Sequence, residues 1–258
     1  MAKRSKRRAP RKILGIDIGG SGVKGAPVHT KRGKLLASRY RIPTPQPATP
    51  EAVADTVAAV VEAHDWRGPV GCTIPGRVVR GVVETAANID ASWRGVNARK
   101  LFKKRLGVPV FVLNDADAAG IAEVRFGAGR RKGTTLVLTL GTGIGSALFT
   151  DGVLVPNTEL GHVRYDKRIA EHVAADSIRT KEHLSWKRWA EKRVQPVLEM
   201  YEFLFSPDLI VIGGGVSKPE RWELFSPYLS TKAKLVPAAL GNEAGIVGAA
   251  LTARQRLK

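Results

Sequence analysis

The sequence has almost no cysteine: Cys72 is the single one among 258 residues. One cysteine forms neither an intramolecular disulfide nor a clustered thiolate metal site, so we expect a cytoplasmic protein without a structural zinc. No apolar run approaches the roughly 18 uncharged residues that span a bilayer, and the basic start leads into a strand-like segment instead of a signal-peptide core. We therefore expect no membrane partner. The 43% hydrophobic content is sufficient for one large globular domain or two ordinary ones.

Acidic residues are also scarce. There are 23 Asp and Glu against 42 Lys and Arg, which leaves a net charge of +19. Seven of these cations lie in residues 1–12, and 19 minus 7 still leaves +12 on the body. Such charge favours a polyanionic partner, although each cation alone is compatible with a solvated surface. We expect a disordered tail over residues 1–12. The candidate polyanion contacts on the body are Lys103, Lys104, Arg105, residues 129–132 and Lys218.

Hydrophobic patterning predicts the element order βββαβαβ, followed by a second copy of the same order. Thr49 and Pro50 are typical of a helix start, and Gly107 of a helix end. We expect an α/β protein of two duplicated domains, 13–115 and 116–241, with a last helix over 242–256 that packs back on the first. The predicted elements tested below are strands at 13–18, 23–28 and 34–42, and helices near 167–175 and 186–205.

Glycine-rich turns occupy the same place in both copies, in "IDIGGSGVKGA" and "LTLGTGIGSA". Glycine lets backbone amides approach phosphate oxygens closely, so these turns are candidate phosphate sites on two halves that face each other across a cleft. The alternative is that they are ordinary turns. The candidate phosphate-binding residues are Gly19, Gly20, Ser21, Gly22 and Lys24 in the first copy, and Thr142 and Gly143 in the second.

The series "DIGGSGVKG", "TIPG", "NDADAA", "LGTGIG", "ELGH" and "IGGG" resembles the ROK group of sugar kinases and repressors, from about Ile13 to Leu251. "ETAANIDASWRGVN" and "ELGHVRYDKR" resemble its polyphosphate-dependent glucokinase branch. The resemblance implies tandem actin/hexokinase-like (RNase H-like) domains, phosphorylation of the 6-hydroxyl of glucose, and a homodimer. Relatives in this group commonly carry a cysteine-rich zinc loop after "GH", which this sequence lacks.

The resemblance makes Asp115 the general base and places Asn114, Asp115, Glu159, His162, Gly76 and Asn88 around the sugar. From the residues alone, Asp115 is equally suited to capping the helix that follows, and His162 to a structural role. Asp117, two residues on, is expected in the first helical turn, where a carboxylate suits the helix dipole.

Asp17 is the candidate Mg²⁺ ligand, through water, because Mg²⁺ keeps much of its hydration shell. The alternative is a strand-terminal carboxylate that binds loop amides. The third glycine turn, with Gly214 as a phosphate contact, lies where ATP-using relatives hold nucleotide. We expect polyphosphate, and also ATP, as donor. The alternatives are a strictly ATP-dependent hexokinase acting on glucose, mannose or fructose, and a nucleic-acid-binding regulator, for which the residues before the first strand are too few to form a helix-turn-helix.

Overall fold

The structure is a computed structural model that describes residues 9–86, 89–129 and 132–257. Its contacts divide the chain into two compact units. The first unit comprises the described residues up to Ala122 and from Glu243 onward, and the second runs from Glu123 to Asn242. The change from the first unit to the second therefore lies inside a helix, whereas the expected domain boundary lay at that helix's first residue, Asp115.

The elements of the first half are as follows. They are β1 Lys12–Ile18, β2 Val23–His29, β3 Lys34–Leu35, β4 Tyr40–Ile42, α1 Pro50–Ala63, β5 Val70–Ile74, β6 Val78–Val79, β7 Val82–Val83, a 3₁₀ turn Ala91–Trp93, α2 Ala98–Leu106, β8 Val110–Asn114 and α3 Asp115–Phe126. The Thr49 hydroxyl caps α1 by accepting from the Ala52 amide at 3.3 Å, as the sequence predicts. Gly107 ends α2 in the left-handed conformation, with φ 69°.

The second half and the final helix follow in chain order. They are β9 Thr134–Leu140, β10 Ile144–Thr150, β11 Val153–Val155, a 3₁₀ turn Leu160–His162, β12 Arg164–Tyr165, β13 Arg168–Ile169, α4 Glu171–Ala174, α5 Asp176–Lys181, α6 Trp186–Trp189, a π-helical turn Ala190–Val194, α7 Gln195–Phe205, β14 Leu209–Gly213, α8 Pro219–Phe225, β15 Lys234–Pro237 and α9 Ala244–Arg256.

Each unit is built on one large sheet, and the two sheets have the same strand order. The first sheet runs β3-β2-β1-β5-β8, with β4 also paired to β2, and the second runs β11-β10-β9-β14-β15. In the first sheet β1 pairs antiparallel with β2 and parallel with β5, and in the second sheet β9 pairs antiparallel with β10 and parallel with β14. The predicted duplication and the predicted α/β fold class are confirmed. The parallel strands of each sheet therefore end at one edge, which is where loops of α/β sheets bind ligands.

Helix α9 packs on β1, β5 and β8 of the first sheet. Glycines make this close approach possible, because a Cβ at Gly15 would collide with the carbonyl of Ile246 and a Cβ at Gly71 with that of Ala249. On the helix side, a Cβ at Gly248 would collide with the carbonyl of Ala118 in α3. The backbones themselves are therefore in contact, and α9 is an integral part of the first unit.

The core of each unit contains large aromatic side chains. Trp93 and Phe102 meet edge to face in the first core, with ring centroids 5.9 Å apart. In the second core Trp189 packs against Phe225 at 5.1 Å, and the buried Tyr201 hydroxyl donates to the Leu160 carbonyl at 2.8 Å. Burial raises the pKa of Tyr201, so this hydroxyl stays protonated and anchors the turn that follows β11.

The third predicted strand, 34–42, is wrong as one continuous element. It is split into β3 and β4, with Leu36–Arg39 outside the ladder. Pro27 of β2 faces this gap; its carbonyl accepts from the Leu36 amide at 2.8 Å, but a proline has no N–H to return the bond. The strand leaves the sheet there and pairs again from Tyr40, opposite Gly25.

The predicted helix near 167–175 is also wrong over its first part. Residues 164–169 form the hairpin of β12 and β13, whose turn places Asp166 at φ 55°, a conformation that aspartate tolerates better than most residues. The helix begins only at Glu171. The predicted helix near 186–205 is present but contains the π-helical turn before Pro196, a residue that cannot donate the next helical hydrogen bond.

The structure also bears on two features of the sequence, the lack of long apolar runs and the single cysteine. Among the residues that the structure describes, no helix is both long enough and apolar enough to cross a bilayer. Cys72 is a free thiol, wholly buried in β5. Burial without a charged partner raises the pKa of the Cys72 thiol, so the side chain behaves as a small core residue.

Candidate active site

The first glycine loop joins β1 to β2 and is held as a defined turn. The Gly19 amide donates to the Gly22 carbonyl at 3.0 Å, and the Thr44 hydroxyl donates to the Gly19 carbonyl at 2.5 Å. Gly20 and Ser21, at the tip, are exposed. The loop is therefore preorganised by its neighbours while its tip stays open to a ligand, which suits a phosphate contact.

Asp17, the predicted Mg²⁺ ligand, lies at the end of β1 with a partner on each oxygen. The Thr73 hydroxyl donates to Oδ1 at 2.8 Å, and Lys24 Nζ lies 3.0 Å from Oδ2. Gly245 of α9 packs directly behind the carboxylate, because a Cβ there would lie 2.6 Å from its Cγ. Lys24, predicted as a phosphate contact, therefore forms an ion pair with Asp17.

This environment fits a hydrated Mg²⁺ better than a directly bound one. Each carboxylate oxygen of Asp17 keeps acceptor capacity for a metal-bound water, whereas the Lys24 ammonium competes for direct coordination. Within 9–86, 89–129 and 132–257, no group of three or more His, Cys, Asp or Glu side chains is arranged to hold a metal ion. If Mg²⁺ binds here, Asp17 would hold it through a water molecule, and donor phosphates would supply further ligands.

The structure adds Arg41 of β4 to this loop, a residue that no sequence motif indicates. Its guanidinium Nη2 donates to the Ser21 carbonyl at 2.8 Å. The same guanidinium lies against Gly22, where an added Cβ would be 2.6 Å from Nε. Arg41 comes to the loop because β4 pairs with β2, and strands this short leave no register signal in a sequence.

Gly76, Asn114 and Asp115 lie together beyond the ends of β5 and β8. Asn114 Nδ2 donates to the Gly76 carbonyl at 3.0 Å, and its Oδ1 accepts from the Asp117 amide at 2.9 Å. Asn114 therefore caps α3, the role that Asp115 would have in the alternative interpretation. Its amide nitrogen has two hydrogens, so one remains for a ligand.

Asp115 is the first residue of α3 and is partly exposed, and its Oδ1 accepts from the adjacent Ala116 amide at 2.9 Å. Asp117 lies in the first helical turn, as expected, and is buried. Asn88, also predicted at the sugar site, lies outside the described residues. The first unit thus brings three of the predicted sugar-site residues to the same sheet edge as the first glycine loop.

In the second unit the glycine turn between β9 and β10 is held by α5. The Gly141 amide donates to the Gly143 carbonyl at 3.0 Å, while the Ser177 amide donates to the Gly141 carbonyl, also at 3.0 Å. The Ser177 hydroxyl donates to the Thr142 carbonyl at 2.6 Å. Thr142 is exposed, so it keeps the accessibility that a phosphate contact requires.

Glu159 directly precedes the 3₁₀ turn and His162 is its last residue, with Glu159 Oε2 at 3.4 Å from His162 Nδ1. A third residue, Glu171, completes the group, because its Oε1 lies 3.7 Å from His162 Nε2. Glu171 Oε2 accepts from the Ile144 amide at 3.4 Å, next to Gly143. The histidine is half exposed between two carboxylates, which is an arrangement suited to polar ligands rather than to a packed core.

No motif in the sequence points to Glu171. The residue lies in the stretch where the sequence predicts one helix, and the hairpin of β12 and β13 returns the chain to His162. Spacing along the sequence therefore carried no sign of this contact.

The third glycine turn follows β14. Gly214 has φ 86°, and its carbonyl accepts from the Ser217 hydroxyl at 2.9 Å. The guanidinium of Arg221 lies over this turn, with Nη1 3.2 Å from the position of a Cβ on Gly215. Lys218 beside it is exposed, as a polyanion contact requires.

Of the other candidate polyanion contacts, Lys103 and Lys104 are exposed on α2, but Arg105 Nε is paired with Asp55 Oδ1 at 2.7 Å. Gly129 is buried and Lys132 is exposed, whereas residues 130–131 lie outside the described part of the chain, as do residues 1–8 of the basic tail. The sugar and phosphate assignments remain predictions that the geometry accommodates.

Comparisons with known proteins agree with this arrangement. Residues 13–174 match the ROK family. The polyphosphate glucokinase of Mycobacterium tuberculosis (strain CDC 1551 / Oshkosh) is 51% identical over 241 residues, covering 92% of this chain and 89% of that protein. The crystal structure of the inorganic polyphosphate/ATP-glucomannokinase from Arthrobacter sp. strain KM superposes with a TM-score of 0.90 at 50% identity, covering 96% of this chain and 100% of that one. A ROK family glucokinase from Streptomyces griseus, solved with glucose and AMPPNP, gives a TM-score of 0.76 at 28% identity, with 95% and 99% covered.

Two sheets of one strand order, each with a glycine loop at its ligand-binding edge, define the actin/hexokinase-like class of kinase folds. The chain belongs to the ROK family.

Proposed function

We propose that this chain transfers the terminal phosphoryl group of inorganic polyphosphate, and also of ATP, to the 6-hydroxyl of glucose. The M. tuberculosis relative is named for the polyphosphate reaction, and the Arthrobacter relative for both donors. The observation that carries the proposal is the position of Asp115, a partly exposed carboxylate at the head of α3, next to an asparagine whose amide is already fixed.

In this proposal Asp115 accepts the proton of the sugar hydroxyl as that oxygen bonds to phosphorus. A carboxylate of ordinary basicity is sufficient, because the hydroxyl becomes acidic only as the new bond forms and alignment governs the rate. Asn114 holds one end of the Asp115 segment, and its remaining amide hydrogen is available to a sugar oxygen. Gly76, Glu159, His162 and Asn88 would supply further sugar contacts.

The glycine loops would hold the donor, with the first loop contributing Gly19, Gly20, Ser21 and Gly22. Thr142, Gly143 and Gly214 would contribute from the second unit. Asp17 would hold Mg²⁺ through water, and the ion would neutralise charge on the transferring phosphoryl group. Lys24 would then act by positioning Asp17, given its 3.0 Å contact with that carboxylate.

The test is glucose 6-phosphate formation in a coupled assay with Mg²⁺, with nucleotide-free polyphosphate in one series and ATP in another. Asp115→Asn is expected to lower kcat by about 10²–10⁴-fold with both donors, while glucose binding by calorimetry changes little. Asp65→Asn, at an exposed surface aspartate, is the matched control and should keep full turnover. Full turnover of Asp115→Asn would refute the base assignment.

The donor series separates the two enzymatic alternatives. Turnover with polyphosphate supports the proposal and gives the surplus positive charge a role, whereas turnover with ATP alone identifies an ATP-dependent hexokinase. We also propose a cytoplasmic homodimer, supported by the single buried thiol for the compartment and by the resemblance to the ROK group for the assembly. Light scattering of the purified chain tests the dimer.

A further inference from the structure

Three side chains form a row across the first sheet at the first glycine loop. Asp17 on β1 pairs in register with Lys24 on β2, and Lys24 pairs with Arg41 on β4. Directly opposed residues of antiparallel strands project from the same face, so the row places one anion and two cations side by side. The sheet thereby fixes which charged groups face the loop.

The charges in this row do not balance, and the surplus lies on Arg41. Lys24 is matched by Asp17 at 3.0 Å, and both side chains are largely shielded, with 24% and 16% of their surfaces exposed. Arg41 bonds to a neutral acceptor, the Ser21 carbonyl, and within the described residues no carboxylate lies in ion-pair distance of it. The uncompensated positive charge at the loop is therefore a guanidinium that the sheet holds in place.

The absence of a side chain at Gly22 leaves room for the Arg41 guanidinium. A Cβ on this residue would lie 2.6 Å from Nε of Arg41 and 2.8 Å from its Cζ, so the arginine occupies space that only a glycine leaves open. A guanidinium has five N–H donors in a planar fork that matches phosphate oxygens, and one of them is used on Ser21. The other four N–H donors of Arg41 are directed away from the Ser21 carbonyl.

We propose that Arg41 binds a phosphate group of the donor chain at the first glycine loop and sets donor affinity there. This inference rests on the proposed function and goes beyond it by naming the residue that recognises the polyanion on this side. The ligand chemistry is a phosphate of a linear phosphoanhydride chain, which polyphosphate and ATP share. Lys24 is not the recognising cation, because its charge is matched by Asp17.

The test compares Arg41→Gln with Arg32→Gln. Arg32 is exposed in the turn after β2, at the other end of that strand, so its substitution is a matched loss of one positive charge. Arg41→Gln is expected to raise the KM for polyphosphate about tenfold, because a charge-assisted hydrogen bond is lost, with little change in kcat or in the KM for glucose. Arg32→Gln should leave all three constants unchanged.

A second measurement needs no turnover. Calorimetric titration of inorganic tripolyphosphate into the enzyme, without glucose, should show binding weakened about tenfold in Arg41→Gln. The slope of log affinity against log salt concentration should fall by roughly 0.7, as expected for one contact with a flexible polyanion. Arg41→Lys should recover part of the affinity, since it keeps the charge and loses the fork. Gly22→Ala should weaken tripolyphosphate binding without removing any charge, by displacing the guanidinium.

The two donors identify which phosphates are contacted. A rise in KM for both places Arg41 on phosphates that ATP and polyphosphate share, and a rise for polyphosphate alone places it on phosphates further along the chain; both support the proposal. Unchanged donor KM and unchanged tripolyphosphate binding in Arg41→Gln would overturn it, as would an effect confined to the KM for glucose. A different result would refute the proposed function and leave the Arg41 site standing. In that result the wild-type chain binds tripolyphosphate more tightly than Arg41→Gln does, yet phosphorylates no sugar.

Discussion

The two sheets share one strand order but differ at the pair of residues behind their glycine loops. Alignment of Gly19 with Gly141 matches Gly15 with Val137, and the strand register pairs Gly15 with Gly71 and Val137 with Val211. In the first sheet the glycine pair admits the backbone of α9, whereas in the second sheet two buried valines fill that place. The comparison shows that a duplicated backbone was kept while the packing on one face diverged.

The glycine loops differ in the same way, this time in charge. At the first loop an ion pair and an unmatched guanidinium surround the turn. At the second loop the position that matches Asp17 is Thr139, and the nearby charged group is the Glu171 carboxylate, which accepts from the amide beside Gly143. The first loop is thus the more attractive of the two for a phosphate, and the second is linked to the residues around His162.

The largest effect is expected from exchanging residues between the two sheets. Gly71→Val places side-chain atoms against the Ala249 carbonyl and within 3.1 Å of the Ala250 nitrogen, so we expect a loss of more than about 3 kcal/mol of unfolding free energy. The reverse change, Val211→Gly, leaves a cavity and should cost about 2–4 kcal/mol. Urea unfolding followed by circular dichroism measures both, and a Gly71→Val chain as stable as the wild type would show that α9 adjusts freely.

A smaller loss of unfolding free energy is expected on substitution of Thr73. Its hydroxyl accepts from the buried Ile18 amide at 2.9 Å and donates to Asp17. Gly213 occupies the matching position of the second sheet, so this connection belongs to the first sheet alone. Thr73→Val should destabilise by about 1–3 kcal/mol, because it leaves a buried N–H without a partner. Thr73→Ser keeps the hydroxyl and is the control; equal stability of the two variants would contradict the explanation.

Glu171 tests the second loop. Glu171→Gln removes the charge that faces His162, and we expect the KM for glucose to rise about tenfold, equivalent to about 1.4 kcal/mol, with little change in the KM for polyphosphate. Glu223→Gln, on the exposed side of α8, is the matched control. A change in the KM for polyphosphate with an unchanged KM for glucose would contradict this role and indicate that Glu171 acts on the phosphate donor.

The smallest effect concerns the 3₁₀ turns. Asp90 caps the turn Ala91–Trp93 through the Ser92 amide at 2.8 Å, whereas Glu159 makes no such bond to Leu160–His162. The hydrogen bonds that Asp90 accepts from Ser92 hold the pKa of Asp90 below the ordinary 3.8. The contribution of Asp90 to stability is therefore present above that pH and is lost as the pH falls through the folded pKa. Asp90→Ala should lower the urea midpoint slightly at neutral pH. The difference should vanish in acid, and a difference that persists there would exclude the charged form as its source.

Much of this architecture can be predicted from the sequence because the signals are local. The Thr49 cap, the left-handed Gly107 and the glycine loops each depend on a few neighbouring residues. Arg41 and Glu171 could not be predicted, since each reaches its loop through a strand of two or three residues whose register only the folded sheet defines. The resemblance implies a sugar contact for Asn114 but does not indicate that this side chain also caps α3. Both roles are compatible because the side chain has two hydrogen-bonding ends.

The position of helix α9 at the end of the sequence has a consequence for the order in which the two units fold during synthesis. The second unit is one continuous stretch from Glu123 to Asn242, whereas the first unit needs residues from both ends of the sequence. During synthesis the face of β1 and β5 that bears Gly15 and Gly71 therefore stays uncovered until α9 leaves the ribosome, after the second unit is already complete. We expect a chain ending at Asn242 to resist proteolysis in its second unit and to be cut in its first. Uniform resistance of both would refute this order.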